Sequence, residues 1–238
     1  MIAAHMVPVV MADPGRYVYT EKNAEYRLTI DVSKDMTVAI VFDTPNKHVT
    51  GGHLPIRRQA GDTYGIDFNG TMEGVHYWYS GIQSVYPDIE FQDGDLTTLT
   101  YVTGDSVSVT FGGKKLELVR QAFNWQVGEF VYTEDDFPSP FHHISYTVHE
   151  NGQVDIHFLC FDVLSSTVSF TLADSKRPTY YKTYDLVPAV NVAKLKANVR
   201  MICSGGAFNP NDLNQVVFAD TSTIFVVIHG TRYTLNRV

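Results

Sequence analysis

Residues 95–120, DLTTLTYVTGDSVSVTFGGKKLELVR, align without a gap on residues 212–237, DLNQVVFADTSTIFVVIHGTRYTLNR. Identities fall at Asp95/Asp212, Leu96/Leu213, Gly113/Gly230, Leu118/Leu235 and Arg120/Arg237, and the apolar positions Leu99, Tyr101, Val107, Val109 and Phe111 meet Val216, Phe218, Ile224, Val226 and Ile228. Such alternation marks strands with one face buried. In the first stretch Thr103-Gly104-Asp105 and Gly112-Gly113 separate the apolar runs with residues that reverse a chain, so it reads as an antiparallel meander. Working outward, residues 15–21 (GRYVYTE) return as residues 128–134 (GEFVYTE), and residues 75–81 (VHYWYSG) match residues 199–205 (VRMICSG) through a shared Val and Ser-Gly. Agreement at three places in the same order reads as an internal duplication.

The duplication sets the expected organisation: an N-terminal arm or leader (1–14), a first β-repeat (15–120), a linker (121–127, QAFNWQV) and a second β-repeat (128–238). Phe123 and Trp125 in place of Gly and Ser predict a linker that packs between the domains and fixes their relation. Strands are predicted near 16–21, 26–32, 36–42, 54–58, 63–68, 75–80, 96–102, 106–111 and 115–120, with Asn151-Gly152 marking the matching hairpin of the second copy. The expected fold class is all-β: two tandem antiparallel meander barrels or sandwiches. Residues 190–199 (VNVAKLKANV) are the one helical-looking stretch and read as an insertion without a counterpart in the first copy.

A net charge of −8, with 18 Lys and Arg scattered along the chain, leaves no basic stripe for phosphates, so neither nucleic acid nor an anionic membrane is an expected partner. No apolar run nears the roughly 20 residues of a spanning helix. Residues 1–12 (MIAAHMVPVVMA) are apolar and end on a small residue but lack a basic start. A truncated secretory leader, a cloning remnant and a native arm stay open, and the compartment stays unassigned with a lean to the extracellular side or an external assembly. Cys160 and Cys203 have no CxxC spacing, and their first-copy counterparts read as Val41 and Tyr79. Core-type counterparts favour buried thiols, with a disulfide open in an oxidising compartment.

Each repeat opens with Gly-x-aromatic on its first strand and closes with an Arg on its last. That pattern resembles the calycin superfamily (lipocalins, avidins and fatty-acid-binding proteins), in which a Gly-x-Trp near the start packs against an Arg of the final strand. The resemblance implies that a guanidinium over an aromatic face, worth roughly 0.5–2 kcal/mol, seals one barrel end. The pairs would be Tyr17 with Arg120 and Phe130 with Arg237. Here the rings are Tyr and Phe, not Trp, and no second lipocalin motif is visible. The resemblance also implies a small apolar ligand carried in one or both barrels.

Histidines gather in the second copy at His142, His143, His149 and His157. If the Asn151-Gly152 hairpin closes with one bulged residue, His143, His149, Asp155 and His157 share its outer face. His149, Asp155 and His157 are then candidate metal ligands. A solvated strand face explains them better, because the first copy offers Asp31 and Thr37 there, so no metal or cofactor is assigned. Aromatic residues are dense, with 14 Tyr and 14 Phe, and Tyr77, Trp78 and Tyr79 stand in a row. On a strand Trp78 would oppose its neighbours. With Tyr86 it suggests a sugar-stacking platform, although aromatic residues, Trp125 among them, serve cores and interfaces more often.

The motifs of common catalysts (Gly-x-Ser-x-Gly, a phosphate loop, His-Glu-x-x-His) are missing, and Asp62, Asp67, Asp93 and Asp95 lie in or beside turns. The leading expectation is therefore a non-catalytic structural or protein-interaction module that self-associates or docks in a larger assembly. A carrier of a small apolar ligand is the alternative, and a glycan-binding protein the third reading.

Overall fold

The computed structural model describes residues 12–71, 74–133, 143–176, 181–203 and 207–238, so the expectations for residues 1–11 and for His142 lie outside the described residues. The chain divides into two compact units, Met1–Arg120 and Gln121–Val238. In the first, β1 (Gly15–Thr20), β2 (Arg27–Val32), β3 (Thr37–Asp43), β4 (His48–Thr50), β5 (Leu54–Ala60), β6 (Thr63–Ile66), β7 (Thr98–Thr103), β8 (Ser106–Phe111) and β9 (Lys114–Gln121) form one antiparallel sheet. Its order β2-β1-β9-β8-β7-β6-β5-β3, closed by β2 on β3, makes an eight-stranded barrel, with β4 appended to β3. The second unit repeats this with β10 (Gly128–Thr133), β11 (His143–Val148), β12 (Gln153–Cys160), β13 (Val163–Leu164), β14 (Val168–Asp174), β15 (Tyr184–Val187), β16 (Gln215–Phe218), β17 (Thr223–Ile228) and β18 (Thr231–Arg237). The all-β class and tandem barrels are as the alternation indicated, and closure decides for barrels over sandwiches.

Closure follows from register. Inward residues of adjacent strands face each other, as Ile30 opposite Ile40 and Leu28 opposite Phe42, so one apolar face is continuous around the sheet. Tyr17, Leu28, Ile30, Ile40, Phe42, Leu99 and Val107 in the first barrel, and Phe130, Ile144, Ile156, Phe158, Phe218 and Ile224 in the second, have no exposed surface, so no water-sized space touches them. The interiors are filled by side chains, as expected for narrow barrels.

Three expectations are corrected. Residues 75–80 are not a strand but the start of helix α1 (Val75–Val85), which buries Trp78, Tyr79 and Ile82. Residues 190–199 are not an insertion but belong to α2 (Ala189–Ile202), which buries Val192, Leu195 and Val199. Extending the constant spacing of Asp95/Asp212 and Arg120/Arg237 backwards sets Trp78 on Leu195 and Ile82 on Val199, so the two helices are the same element and the match of VHYWYSG to VRMICSG is out of register. Register also corrects the cysteines. Val148–Val154 and Val32–Val38 are equivalent closing pairs, which sets Cys160 on Thr44, while Cys203 falls on Tyr86. The two thiols form a disulfide with Cα atoms 5.3 Å apart.

Phe123 and Trp125 pack against the core of the second unit. The Phe123 amide donates to the Phe218 carbonyl at 2.8 Å, and the Trp125 amide donates to the Tyr184 hydroxyl at 3.1 Å.

Candidate functional site

Each barrel has two differently built ends. At the first, β9 delivers Arg120 beneath the start of β1. The guanidinium carbon lies 4.6 Å from the centre of the Tyr17 ring. Its nitrogens donate to the carbonyls of Pro14 (2.7 Å) and Gly104 (3.0 Å), to the Asp105 carboxylate (3.2 Å) and to the Tyr17 hydroxyl. Burying a guanidinium is costly unless each donor is met, and here charge and donors are both answered. The second barrel has a looser counterpart: Arg237 is exposed, lies 5.9 Å from the Phe130 ring centre and donates to the carbonyls of Val127 and Thr221. A Cβ on Gly128 would stand 2.7 Å from Arg237 Nε, which explains the Gly of the Gly-x-aromatic pattern. Edge-on contacts extend the lock: Tyr17–Tyr101–Tyr64 in one barrel and Phe130–Phe218–Tyr184 in the other. With this much shared, the lock is scaffold.

At the opposite end the helix closes the barrel. The period Val75, Trp78, Ile82 gives α1 its apolar stripe. Trp78, 1 % exposed, is part of the core, while Tyr77 is 51 % exposed. Tyr79 stacks on Phe91 at 4.2 Å and donates to the Asp95 carbonyl at 2.6 Å, and burial with the nearby charge of Asp95 pushes its phenol up to about 12. Tyr86, at the end of α1, packs on Tyr26 (5.3 Å) and Phe42 (6.0 Å). Tyr86 and Trp78 therefore line different clefts.

The paired Asp95 and Asp212 are structural. Asp95 accepts from the amides of Gln92 and Gly113, and Asp212 from those of Asn209, His229 and Gly230, which fastens the loop after each helix to the last hairpin. Their signal in the sequence is the shared Asp-Leu and Gly of the aligned stretches.

On the outer face of β10 to β12, His149 pairs with Asp155 at 2.9 Å, while His157 stacks on His143 with ring centres 6.0 Å apart. The three candidate ligands are thus split between two pairs. Among the described residues no three His, Cys, Asp or Glu side chains are placed to hold a metal ion. Partial burial and the neighbouring His157 lower the pKa of His143, and hydrogen bonds from Ser169, His149 and Gln153 lower that of Asp155.

Sequence reasoning missed two features. In the second barrel, Phe161, Val163 and Leu164 stand 47 %, 49 % and 59 % exposed on the β12–β13 hairpin, where the first barrel has the polar turn Thr44-Pro45-Asn46-Lys47. Phe161 and Asp162 both have positive φ there, a two-residue turn of the kind usually given to Asn and Gly. The disulfide draws Met201, 78 % exposed on α2, to the same end of the barrel. In the first barrel, a cleft of about 520 Å³ lies beside the end of α1. No family model matches the chain, and no curated protein matches it.

Proposed function

We propose that the protein is a non-catalytic association module that uses its second barrel for self-association, through the apolar hairpin β12–β13 and the neighbouring end of α2. The observation that carries this reading is that Phe161, Val163 and Leu164 on the hairpin and Met201 near the end of α2 are all exposed, on two elements that the Cys160–Cys203 disulfide joins. A short apolar edge hairpin is a surface that proteins normally blunt with charge unless it is used. The disulfide holds the hairpin and the helix end as one rigid surface, which lowers the entropy lost on contact, and it suits an oxidising compartment. The guanidinium-on-ring locks favour placing each repeat near the calycins in architecture. The filled interiors speak against an apolar ligand carried inside, and the burial of Trp78 against a glycan platform.

Sedimentation of the full chain tests the reading. The wild type is expected to associate at concentrations up to about 100 µM, and Leu164→Asp to return it to monomer with its melting curve unchanged. A wild type that stays monomeric over that range, or a Leu164→Asp protein that associates equally well, overturns it.

A further inference from the structure

The cleft at the helix-capped end of the first barrel has a chemistry that closing the barrel does not require. Tyr26, Tyr86 and Phe111 form its floor, and four carboxylates against two lysines, Lys22 and Lys114, stand around it. The carboxylates come from two segments: Glu21 and Glu25 from the β1–β2 connection, and Asp88 and Glu90 from the chain after α1. The aromatic cluster joins them to the core. The Tyr19 and Tyr26 hydroxyls donate to Glu21 Oε2 at 2.7 and 3.2 Å, the Lys22 amide donates to Glu21 Oε1 at 2.9 Å, and the Tyr86 hydroxyl donates to Glu25 Oε2 at 3.3 Å. These bonds lower the pKa of Glu21, while burial and the adjacent carboxylates raise the phenols of Tyr26 and Tyr86. The cleft is thus an acidic opening with the half-buried Tyr86 at its base and the buried Tyr26 and Phe111 behind it.

The second barrel shows that the floor is not needed for closure. Phe111 and Tyr86 correspond there to Ile228 and Cys203, and that barrel closes around them as completely. What distinguishes the first copy is a concavity of ligand size with aromatic surface below and negative charge above.

We propose that this cleft binds a small organic ammonium ion with a flat apolar body. The ammonium group is held among the carboxylates of Glu25, Asp88 and Glu90, and the body lies against Tyr86. Ring quadrupoles and carboxylates both favour a cation over a neutral or anionic molecule of the same shape. A bare divalent ion fits less well, because no three of these carboxylates are placed to coordinate one.

Titration of the full chain with phenethylammonium and with 3-phenylpropionate, followed by calorimetry, separates the two charges on nearly one shape. At low salt the cation is expected to saturate a single site with a Kd below about 1 mM, and the anion to show no binding up to about 10 mM. Glu25→Gln with Asp88→Asn removes charge from two exposed positions and keeps an acceptor for the Tyr86 hydroxyl. It is expected to weaken the cation at least about tenfold. Equal binding of the two probes, no binding of either, or an unchanged Kd in the double variant overturns the proposal. Should the double variant fail to fold, the comparison of probes on the wild type still decides.

Discussion

The helix-capped ends of the two barrels solve one packing problem in two ways. In the first, α1 ends on Tyr86, whose ring packs on Tyr26 and Phe42. In the second, Cys203 occupies the place of Tyr86 and bonds covalently to Cys160, the counterpart of Thr44. The aromatic solution leaves a cleft with Tyr86 at its base. The covalent one closes a loop of chain and leaves its hairpin apolar side chains outside. The pair Tyr79 and Lys196 shows the same divergence on a smaller scale. Tyr79 donates to the carbonyls of Gln92 (3.4 Å) and Asp95 (2.6 Å), and Lys196 donates to those of Asn209 and Pro210 at 3.2 and 3.1 Å. The loop after the helix is held in both, by a phenol in one and an ammonium in the other. A duplicated scaffold is therefore free to vary where the helix meets the wall, and that is where both proposed sites lie.

The comparison breaks most severely at the helix itself. Trp78→Ala is expected to cost the first barrel roughly 3–5 kcal/mol and Leu195→Ala to cost the second roughly 2–5, nearer the lower end for the smaller side chain. Separate urea transitions check this, and cross-effects on the other barrel would show that the two units do not unfold independently. Next comes the disulfide. Closing a loop between cysteines 43 residues apart stabilises by about 4 kcal/mol on chain-entropy grounds, so Cys160→Ala with Cys203→Ala should lower the second transition and leave the first in place. Trp78 in the first unit and Trp125 in the second let fluorescence, with either one replaced by Phe, assign each transition.

A smaller effect of opposite sign is expected at Tyr146. Its hydroxyl is fully buried in the second barrel with no hydrogen-bond partner among the described residues, and burial raises its pKa, whereas the first barrel has Ile30 at this position. Tyr146→Phe should therefore stabilise by about 1 kcal/mol, as read from the urea midpoint at unchanged slope. The smallest effect concerns pH. The folded state lowers the pKa of His143 below its usual 6.5, so the unfolded chain takes up that proton more readily. Its contribution is complete above 6.5 and declines as pH falls below that value. Melting of the second barrel at about pH 7.5 and about pH 5.5 should show the decline, and His143→Gln should flatten it.

Much of this was legible in the chain. The β8–β9 and β17–β18 meanders follow from strict alternation, because a strand buries every second residue. The arginine locks follow from Gly15, Tyr17 and Arg120 returning as Gly128, Phe130 and Arg237. The helix α1 was misread because Tyr77, Trp78 and Tyr79 favour strands locally. The helical period Val75, Trp78, Tyr79, Ile82 was present but was outweighed by a Ser-Gly match in the wrong register. The cysteine pairing was hidden by the same slip, since a wrong register assigns each cysteine a wrong counterpart. The cleft left no sequence signal, because Glu21, Glu25, Asp88 and Glu90 belong to loops that only the closed barrel brings to one rim.

By itself the sequence indicated two tandem β-units, most of their strands and the Gly, aromatic and Arg positions found together at one end of each barrel, since these depend on local alternation and on motifs that recur. Only the tertiary structure decided that the sheets close, that the two helices are equivalent, that Cys160 meets Cys203, and that one end of one barrel holds an acidic cleft. Each of these depends on residues far apart in the chain, whose proximity is set by register and by the burial of an apolar face, not by neighbouring residues.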